Sequence, residues 1–483
     1  MAIRAEPALA VLSELAREHA IVPVWIELAA DLDTPVTAFL KLRRRHAARF
    51  LLESVEGGER VGRYSFIGCG ERRRLRVAAD GDPWKALGLI ARDRVAGGQF
   101  GDLPGFWGGY VGWIGFDAVR HLEPTVGKPP PDDLGMPAAE FIEPEVLVAF
   151  DHVKHRMLLI RAVPAGEDLP RRYVEASAAL RDVASALAAP LEGQQLQISA
   201  EPAVPPYRST LTRQEFMDRV ATCLEHIRAG DVFQIVPSQR FSVSYDGDPF
   251  LLYRHLRILN PSPYMFFQDW GDYQLVGSSP EVMVRLDGDV ATVRPIAGTR
   301  RRGGRPDDEI AAELLADEKE CAEHIMLVDL GRNDLGRVCA IGSVRVDSLM
   351  HIEKYSHVLH IVSNVTGRLA PGRTGLDLLA ASFPAGTLSG APKIKALELL
   401  NKLEPRRRGP YGGAVGTLAY DGAVNMGITI RTLLVKAGQA HVQAGAGVVA
   451  DSDPALEHQE CLNKAHALLL AVGAASAGKG QEP

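Results

Sequence analysis

Two pairs of glutamates in the second half of the chain have the spacing of neighbours on a helix. Glu320 and Glu323 lie in KECAEHIMLVDL, and Glu457 and Glu460 follow a polar turn at residues 451–454. Residues three apart share one helical face, so each pair presents two carboxylates together. One such pair alone is usually solvated surface, but both pairs adjoin apolar helical runs. Facing carboxylates repel unless a cation compensates them, and their oxygen atoms suit Mg²⁺, so the arrangement suggests a magnesium site.

Three ionisable side chains stand inside or at the start of apolar, strand-like runs. Glu281 begins one run, and a partly desolvated carboxyl there would have the raised pKa that suits a general acid. His360 lies inside LHIVSNV, where a histidine is more often a hydrogen-bonded core residue than a base. Arg431 lies inside ITIRTLLV, where an unpaired cation is costly. Its position predicts an anionic partner, either a protein carboxylate or a ligand carboxylate.

Further positions could hold a small anion beside the predicted metal. Gly445, Ala446 and Gly447 let backbone approach a ligand closely, and Lys464 lies on the helix that carries the second glutamate pair. Thr387 precedes a predicted helix, whose N-terminus together with hydroxyl groups can hold an anion. The segment lacks the spacing GxxxxGK[ST], so binding of a nucleoside triphosphate is disfavoured. Together these groups favour a small di- or tricarboxylate ligand.

The elements that must position these residues come in clusters of strands and clusters of helices. Their order lacks the strict alternation of βαβ units, so we expect an α+β fold with large, mainly antiparallel sheets flanked by helices. A long helix is predicted over residues 307–330, where it carries the first glutamate pair. Asp453 is predicted to cap the helix that carries the second pair, with Pro454 at its first position.

A change in composition predicts where the chain divides. Polar and proline-rich residues just before residue 206 are typical of an interdomain crossing. We therefore expect an N-terminal domain over residues 1–205, a catalytic domain over 206–475 and a short tail over 476–483.

Length, charge and cysteine content disfavour several classes of protein. The 483 residues can bury a large core, and 46% apolar and 24% charged residues are ordinary for a globular protein. A net charge of −6 argues against general nucleic-acid binding, and no run of about eighteen apolar residues predicts a membrane span. The N-terminal stretch predicts a charged amphipathic helix rather than a signal peptide. The five cysteines have no CxxC spacing, so we expect a reducing, cytoplasmic location.

Several long motifs in the second half resemble those of the chorismate-utilising enzymes. They extend over roughly residues 210–470 and are PIAGTRRRG, EKECAEHIMLVDLGRNDLGRV, FPAGTLSGAPKIKALELL, YGGAVG, ITIRTLL and GAGVVADSDPALEHQECLNKA. In the first half, LLES and GRYSFIG are similar to the N-terminal domain of the large subunits of anthranilate synthases, their component I. The resemblance covers nearly the whole chain and implies the sandwich-like chorismate-binding fold.

Three positions separate the branches of this family. In aminodeoxychorismate synthases a nucleophilic lysine matches Ala297, which cannot attack a substrate. In isochorismate and salicylate synthases a lysine that activates water matches Gln234, whose amide has no usable basicity. His360 matches the histidine linked to pyruvate elimination in anthranilate synthases. The resemblance therefore implies a lyase that converts chorismate and ammonia into anthranilate and pyruvate, the first committed step of tryptophan biosynthesis.

The same resemblance implies a set of site residues. The ligands of Mg²⁺ would be Glu323 and Glu460, supported by Glu320 and Glu457. The catalytic residues would be Glu281, which protonates the departing 4-hydroxyl as ammonia adds at ring C2, His360, which assists removal of the C2 proton, and Gln234. The residues in contact with the substrate would be Gly298, Thr299, Thr387, Tyr411, Arg431, Gly445, Ala446, Gly447 and Lys464.

The resemblance also implies a regulator and a partner. Tryptophan would inhibit the enzyme from a pocket formed by Ser54, Pro263, Tyr264 and Met265. The chain shows no G-x-C-x-G nucleophile elbow, so a separate glutamine amidotransferase subunit, component II, would deliver ammonia within a hetero-oligomer. The alternatives within the family are an aminodeoxychorismate, isochorismate or salicylate synthase. Outside it they are a non-catalytic sensor of tryptophan or chorismate, and a magnesium-dependent phosphotransferase, which the missing phosphate loop disfavours.

Overall fold

The computed structural model describes residues 4–54, 62–91, 100–191, 195–196, 202–355 and 358–477. Every strand pairing recorded within these segments is antiparallel, and most strands belong to two large sheets. The predicted α+β fold with mainly antiparallel sheets is confirmed. No helix in these ranges is both long enough and apolar enough to cross a bilayer.

The first sheet has eleven strands among the described residues. Across the sheet they follow one another as β1 (Ile21–Ala29), β8 (Arg156–Pro164), β7 (Val146–Asp151), β3 (Tyr64–Cys69), β2 (Ala48–Glu53), β12 (Tyr264–Asp269), β13 (Tyr273–Ser279), β22 (Thr432–Lys436), β23 (Gln439–Gly445), β11 (Ser238–Ser244) and β9 (Arg208–Ser209).

The second sheet has ten strands in the described part of the chain. Nine follow one another as β16 (Ile296–Arg301), β18 (Val358–Arg368), β15 (Val290–Val293), β14 (Val282–Asp287), β21 (Val424–Ile428), β20 (Ala414–Ala419), β5 (Gly109–Ile114), β6 (Ala139–Glu143) and β4 (Arg73–Val77). The tenth, β17 (Arg345–Lys354), also pairs with β18. A separate small ladder joins β10 (Gln234–Ile235) to β19 (Gly390–Ala391).

Both sheets draw strands from each side of residue 205. In the first sheet β2 pairs with β12, and Met265 stands opposite Glu53. In the second sheet β5 pairs with β20, and Thr417 stands opposite Val111. The domain boundary near residue 205 stays a prediction, but the chain segments before and after it build the same two sheets.

The two sheets share a buried core. The indole Nε1 of Trp113 on β5 donates a hydrogen bond of 3.0 Å to Tyr273 Oη on β13, and both side chains are fully buried. A buried indole N–H and phenol find partners in this way because an unpaired polar group in the core is costly. Strands β5 and β13 therefore pack face to face at this point.

The helices cover these sheets. They are α1 (Leu9–Glu18), α2 (Pro35–Arg45), α3 (Pro83–Ala91), α4 (Leu169–Leu187), α5 (Arg213–Arg228), α6 (Pro249–Leu259), α7 (Asp307–Ala316), α8 (Glu318–Gly336), α9 (Gly375–Ser382), α10 (Lys393–Leu403) and α11 (Pro454–Ala477). Helix α11 packs against α5, α6 and β23, whereas α8 packs against β16 and β18. The two helices that carry the glutamate pairs are therefore anchored on different sheets.

The predicted single helix over residues 307–330 is wrong, because Asp317 divides it into α7 and α8. Asp317 has an extended backbone, and its Oδ1 accepts hydrogen bonds of 3.1 Å from the N–H groups of Lys319 and Glu320. Such a cap satisfies N–H groups that a helix start leaves without partners. Helix α8 therefore begins at the glutamate pair. The predicted cap on α11 is confirmed, because Asp453 Oδ1 accepts from the N–H groups of the two residues after Pro454.

Candidate active site

The two glutamate pairs lie on α8 and α11 and influence one another electrostatically. Burial raises the pKa of Glu323, and the negative charges of Glu320 and Glu460 raise it further. Burial also raises the pKa of Glu457, and the charge of Glu460 adds to this rise. Glu323 on α8 and Glu460 on α11 are therefore near enough for the charge of one to act on the other.

The chemistry of this donor set fits Mg²⁺. Glu457 Oε2 is buried and has no hydrogen-bond partner among the described residues, so this oxygen is an acceptor that a cation could use. Mg²⁺ takes oxygen ligands, commonly one or two carboxylates, and keeps several waters. Within the ranges that the structure describes, no three acidic, histidine or cysteine side chains converge closely enough to hold a metal by themselves. The magnesium site stays a prediction that the donor chemistry supports.

Lys464 places a positive charge between this acidic site and the glycine-rich backbone. Its Nζ lies 2.5 Å from Glu460 Oε1 and donates a hydrogen bond of 3.1 Å to the carbonyl of Gly445. Its charge also acts to lower the pKa of Glu323. The ammonium group is therefore held where an anionic ligand bound at the acidic site would meet it.

Gln234 contacts the same acidic site from β10. The residue is 3% exposed, and its Nε2 donates a hydrogen bond of 3.3 Å to Glu323 Oε1. Its Oε1 is buried without a hydrogen-bond partner in the described chain. A Cβ atom on Gly447 would lie 3.0 Å from Gln234 Nε2, so that glycine leaves the amide its space. Gln234 thus presents an amide, which is neutral, next to a predicted metal ligand.

Glu281 lies between the end of β13 and the start of β14. Its Oε1 accepts a hydrogen bond of 2.9 Å from Thr387 Oγ1. Burial raises the pKa of Glu281 to about 7, although this hydrogen bond and the charge of Lys464 act to lower it. A carboxyl group that titrates near neutral pH can donate a proton, which is what the predicted general acid requires.

His360 is held on β18 by the neighbouring strand β16. Its Nδ1 lies 3.0 Å from the carbonyl oxygen of Gly298 and 3.1 Å from Thr299 Oγ1. A carbonyl only accepts hydrogen bonds, so Nδ1 carries the proton and Nε2 carries the basic lone pair of the neutral ring. The ring also packs edge-on against Tyr355. These contacts hold the ring in one orientation.

The backbone of Gly298 connects His360 to the glutamates. Gly298 has a φ of +66°, which glycine adopts readily, and it lies at an irregularity in the pairing of β16 with β18. A Cβ atom here would lie 3.3 Å from Glu320 Oε2. Its carbonyl faces His360 while its Cα lies against Glu320. Gly298 therefore contacts both the predicted base and a glutamate predicted to support the metal site.

Arg431 directly precedes β22, and Tyr411 lies three residues before β20. The guanidinium of Arg431 donates a hydrogen bond of 2.6 Å to the backbone carbonyl of Lys464 rather than to a carboxylate. Burial lowers its pKa, and the negative charge of Glu460 and the electrostatic influence of the nearby Tyr411 phenol oppose this effect. Burial also raises the pKa of Tyr411 far above its ordinary value, so its phenol stays protonated.

The glycine-rich segment lies against these side chains. A Cβ atom on Gly445 would lie 2.7 Å from the carbonyl oxygen of Pro237 and 3.0 Å from Tyr411 Oη. The N–H of Ala446 donates a hydrogen bond of 3.2 Å to that same Pro237 carbonyl. The close packing explains why small residues occupy these positions, and it brings Gly445 and Ala446 next to Tyr411.

The residues of the predicted tryptophan pocket also come together. Ser54 follows Glu53 at the end of β2, and Glu53 stands opposite Met265 on β12. Pro263 directly precedes Tyr264, the first residue of β12. The pairing of β2 with β12 therefore places Ser54 beside residues 263–265, although these residues are separated widely along the chain.

One charged residue at the site escaped the sequence interpretation. Arg300 Nη1 donates a hydrogen bond of 3.0 Å to Glu320 Oε1, and its Nη2 donates one of 2.6 Å to Asp317 Oδ2. It therefore orients the supporting glutamate and ties the start of α8 to β16. The three arginines after Thr299 could have indicated a cation near the glutamates. Their spacing alone does not say which of the three side chains points toward them.

The sequence comparisons agree with this geometry. A family model described as chorismate binding enzyme matches residues 47–470. The chain belongs to the chorismate binding enzyme family. The family that the motifs of the second half resemble is thereby confirmed.

Relatives within the chorismate binding enzymes carry a consistent name. The chain is 49% identical to anthranilate synthase component 1 of Thermus thermophilus, over 93% of this chain and 97% of the relative. It is 46% identical to the protein of that name from Synechocystis, over 97% of this chain and 99% of the relative.

Solved structures show the same likeness. Anthranilate synthase component I from Streptococcus pneumoniae superposes with a TM-score of 0.76 at 36% identity, over 92% of this chain and 99% of that one. The menaquinone-specific isochorismate synthase MenF of Escherichia coli superposes with a TM-score of 0.72 at 17% identity, over 96% of this chain and 99% of that one. At 17% identity, the similarity to the isochorismate synthase concerns the fold alone.

Proposed function

We propose that this chain is the catalytic component of an anthranilate synthase, which converts chorismate and ammonia into anthranilate and pyruvate. The observation that carries the proposal is the contact of Gln234 Nε2 with Glu323 Oε1. A neutral amide occupies the position where water-activating relatives are expected to have a lysine, so a nucleophile that needs no deprotonation is favoured. The names of relatives at 49% and 46% identity support the same activity.

The acidic site would hold the ring carboxylate of the substrate. Glu323 and Glu460 would bind Mg²⁺, with Glu320 and Glu457 in support, and the ion would supply positive charge for that carboxylate. Arg431, Tyr411 and Lys464, together with the backbone of residues 445–447, surround the place where the remaining anionic groups would lie. These contacts would fix the ring before any bond changes, which is how positioning lowers a barrier.

Proton transfers would then follow from two positioned side chains. As ammonia adds at ring C2, Glu281 gives its proton to the 4-hydroxyl, which leaves as water. The pKa of about 7 keeps a large fraction of Glu281 protonated at neutral pH. In the second stage His360 Nε2 assists removal of the C2 proton while pyruvate leaves, and the ring becomes aromatic. The reaction makes the enzyme a lyase, and in a cytoplasmic location it would begin tryptophan biosynthesis.

The proposal includes a partner and a regulator. Relatives are named component 1, which implies a second component, and we infer a glutamine amidotransferase subunit that delivers ammonia. Tryptophan would bind at Ser54 and residues 263–265. Tyr264 stands opposite Ser279 on β13, two residues before Glu281, so a change at this pocket has a short path to the predicted acid.

A fluorescence assay tests the activity. Purified protein is given chorismate and Mg²⁺ with either an ammonium salt or glutamine, and the product is identified by its emission and mass. We expect anthranilate with ammonium and none with glutamine, because this chain would lack its partner. Aminodeoxychorismate, isochorismate or salicylate as the product would overturn the assignment of Gln234. Binding of chorismate or tryptophan without turnover would instead indicate a sensor.

A further inference from the structure

We propose that the buried ion pair between Arg408 and Glu404 is a positioning device that holds the two backbone segments carrying Thr387 and Gln234 in place. Neither residue of the pair belongs to the site described above. The inference rests on the proposed function, since it concerns residues assigned to that reaction.

The pair is buried and fully engaged. Arg408 is 2% exposed and Glu404 8%. Arg408 Nε donates to Glu404 Oε2 at 2.8 Å and Nη2 donates to Oε1 at 2.6 Å, so the pair is bidentate. The guanidinium carbon also lies 4.2 Å from the centre of the Phe116 ring. A planar fork that stacks on an aromatic ring has little rotational freedom, which suits a group that must hold other atoms in fixed positions.

The remaining donors of Arg408 reach the two segments. Nη1 donates a hydrogen bond of 2.6 Å to the carbonyl of Leu388, the residue after Thr387. Nη2 donates one of 2.6 Å to the carbonyl of Val236, two residues after Gln234. One guanidinium thus joins the loop before α10 to the strand segment that leaves β10.

Glu404 extends the same arrangement to the glycine-rich backbone. Its Oε1 accepts hydrogen bonds from Ser238, at 2.9 Å from the backbone N and 2.8 Å from Oγ. Ser238 stands opposite Gly445 in the pairing of β11 with β23. The backbone at Gly445, the amide that contacts Glu323 and the hydroxyl that contacts Glu281 therefore all lie within a few residues of a group bound by this ion pair.

A role in stability alone explains this arrangement poorly. Replacing a buried ion pair with uncharged residues of similar volume is often neutral for stability, so the fold does not need these charges as such. An uncharged pair cannot replace the N–H groups of Arg408 that donate hydrogen bonds to the carbonyls of Leu388 and Val236. Loss of those donors would let the two segments shift, and a displacement of about 1 Å at reacting groups can cost about 10²-fold in rate.

The test compares a double variant, a single variant and a matched control. Arg408→Met with Glu404→Gln removes both charges and keeps an acceptor for Ser238, so it isolates the lost donors. Arg408→Lys keeps the charge but loses the fork. The control is Arg63→Met with Asp151→Asn, another bidentate pair with a buried carboxylate, at 3.0 and 2.9 Å, which lies on the first sheet.

We expect the double variant to lose about 10²-fold in kcat with less than about a threefold change in KM for chorismate. A shifted Thr387 would no longer donate its hydrogen bond to Glu281, so the pKa of Glu281 would rise. The alkaline limb of the pH profile of kcat should therefore move to higher pH. Amides in residues 386–391 and 234–238 should exchange hydrogen faster. Arg408→Lys should recover part of the rate. The control should leave the alkaline limb of the pH profile and the hydrogen exchange of both segments unchanged, whatever its effect on the melting temperature.

Three results would overturn the proposal. The first is a folded double variant with wild-type kcat, alkaline limb and hydrogen exchange. The second is a loss of activity that the control reproduces at the same drop in melting temperature. The third applies if the double variant does not fold. In that case, an Arg408→Lys protein with wild-type kcat, alkaline limb and hydrogen exchange would overturn the proposal. A wild-type protein that forms no anthranilate would refute the proposed function instead, and the exchange measurement would still decide whether Arg408 holds the two segments.

Discussion

Thr387 Oγ1 donates a hydrogen bond of 2.9 Å to Glu281 Oε1, so the loop before α10 meets the start of β14 at the predicted proton donor. Burial raises the pKa of this carboxyl to about 7, and the hydrogen bond acts in the opposite direction. Thr387 and the buried surroundings of Glu281 together set the pH range in which this carboxyl group is protonated.

Replacement of Thr387 by valine should move the alkaline limb of activity to higher pH. The hydroxyl stabilises the ionised form of Glu281, so its loss raises the pKa and keeps the acid protonated at higher pH. The limb is measured from kcat/KM for chorismate across pH. Thr222→Val, on the exposed side of α5, is the control and should leave it unchanged. An unmoved limb in Thr387→Val would contradict the assignment of Glu281 as the acid.

Glu281→Gln should make the fold more stable at alkaline pH. The native pKa of about 7 lies above the ordinary 4.5, so the native state binds more protons between these values and wild-type stability falls as pH rises. The difference amounts to about 3 kcal/mol. Denaturant unfolding with EDTA should show equal stabilities at pH 4 and a more stable variant at pH 8. Equal stabilities at both values would mean that Glu281 is not desolvated.

Mg²⁺ should raise the melting temperature of the wild-type protein, because binding to the native state alone adds stability. At a hundred times its Kd the ion would contribute about 2.7 kcal/mol. Glu323→Gln with Glu460→Gln should abolish this response. Glu318→Gln, exposed at the start of α8, should keep the response. A response retained by the double variant would place the metal elsewhere.

Gln234→Lys should weaken the use of Mg²⁺. The amide nitrogen lies 3.3 Å from Glu323 Oε1, and an ammonium group there would compete with the metal for that carboxylate. We expect about tenfold more Mg²⁺ to be needed for half-maximal activity, since 1.4 kcal/mol of such competition is a tenfold effect. Gln214→Lys on the exposed face of α5 controls for the added charge. Unchanged magnesium dependence would separate Gln234 from the metal site.

Gly427→Ala should weaken inhibition by tryptophan more than catalysis. A Cβ atom at this position would lie 3.1 Å from the ring of Tyr264 and 3.4 Å from the backbone carbonyl oxygen of Glu281. It therefore touches both the proposed inhibitor pocket and the strand end that carries the acid. We expect the inhibition constant to rise about tenfold, equivalent to 1.4 kcal/mol.

Gly88→Ala on α3, where a Cβ atom meets nothing within 4 Å, is the control for this substitution and should leave inhibition unchanged. Inhibition that Gly427→Ala leaves intact would remove this contact from the coupling path. If tryptophan binds without inhibiting the wild-type protein, its role in the pocket is structural.

Local chemistry made parts of this site predictable. The cap at Asp453 and the spacing of the two glutamate pairs involve residues only a few positions apart, so the local sequence is enough to predict them. The sequence left open whether Glu281 is an exposed strand end or a desolvated acid, and its burial, which raises the pKa, favours the second interpretation.

Contacts between distant segments were not predictable in the same way. Helix propensity extended one helix through Asp317, whereas the hydrogen bonds of its carboxylate to backbone N–H groups end it there. The choice of Arg300 among three arginines, and of Arg408 as a buried rather than solvated residue, depends on which strands and loops pack nearby. The pairing of β2 with β12 has no signature in either strand alone.

That pairing and the pairing of β5 with β20 also shape how the chain is made. Glu53 leaves the ribosome long before Met265, and Val111 long before Thr417. At roughly 5–20 residues per second, these edges wait tens of seconds for their partners. Unpaired apolar strand edges in that interval attract other nascent chains. Translation speed and chaperone supply would then influence how much folded protein a cell obtains.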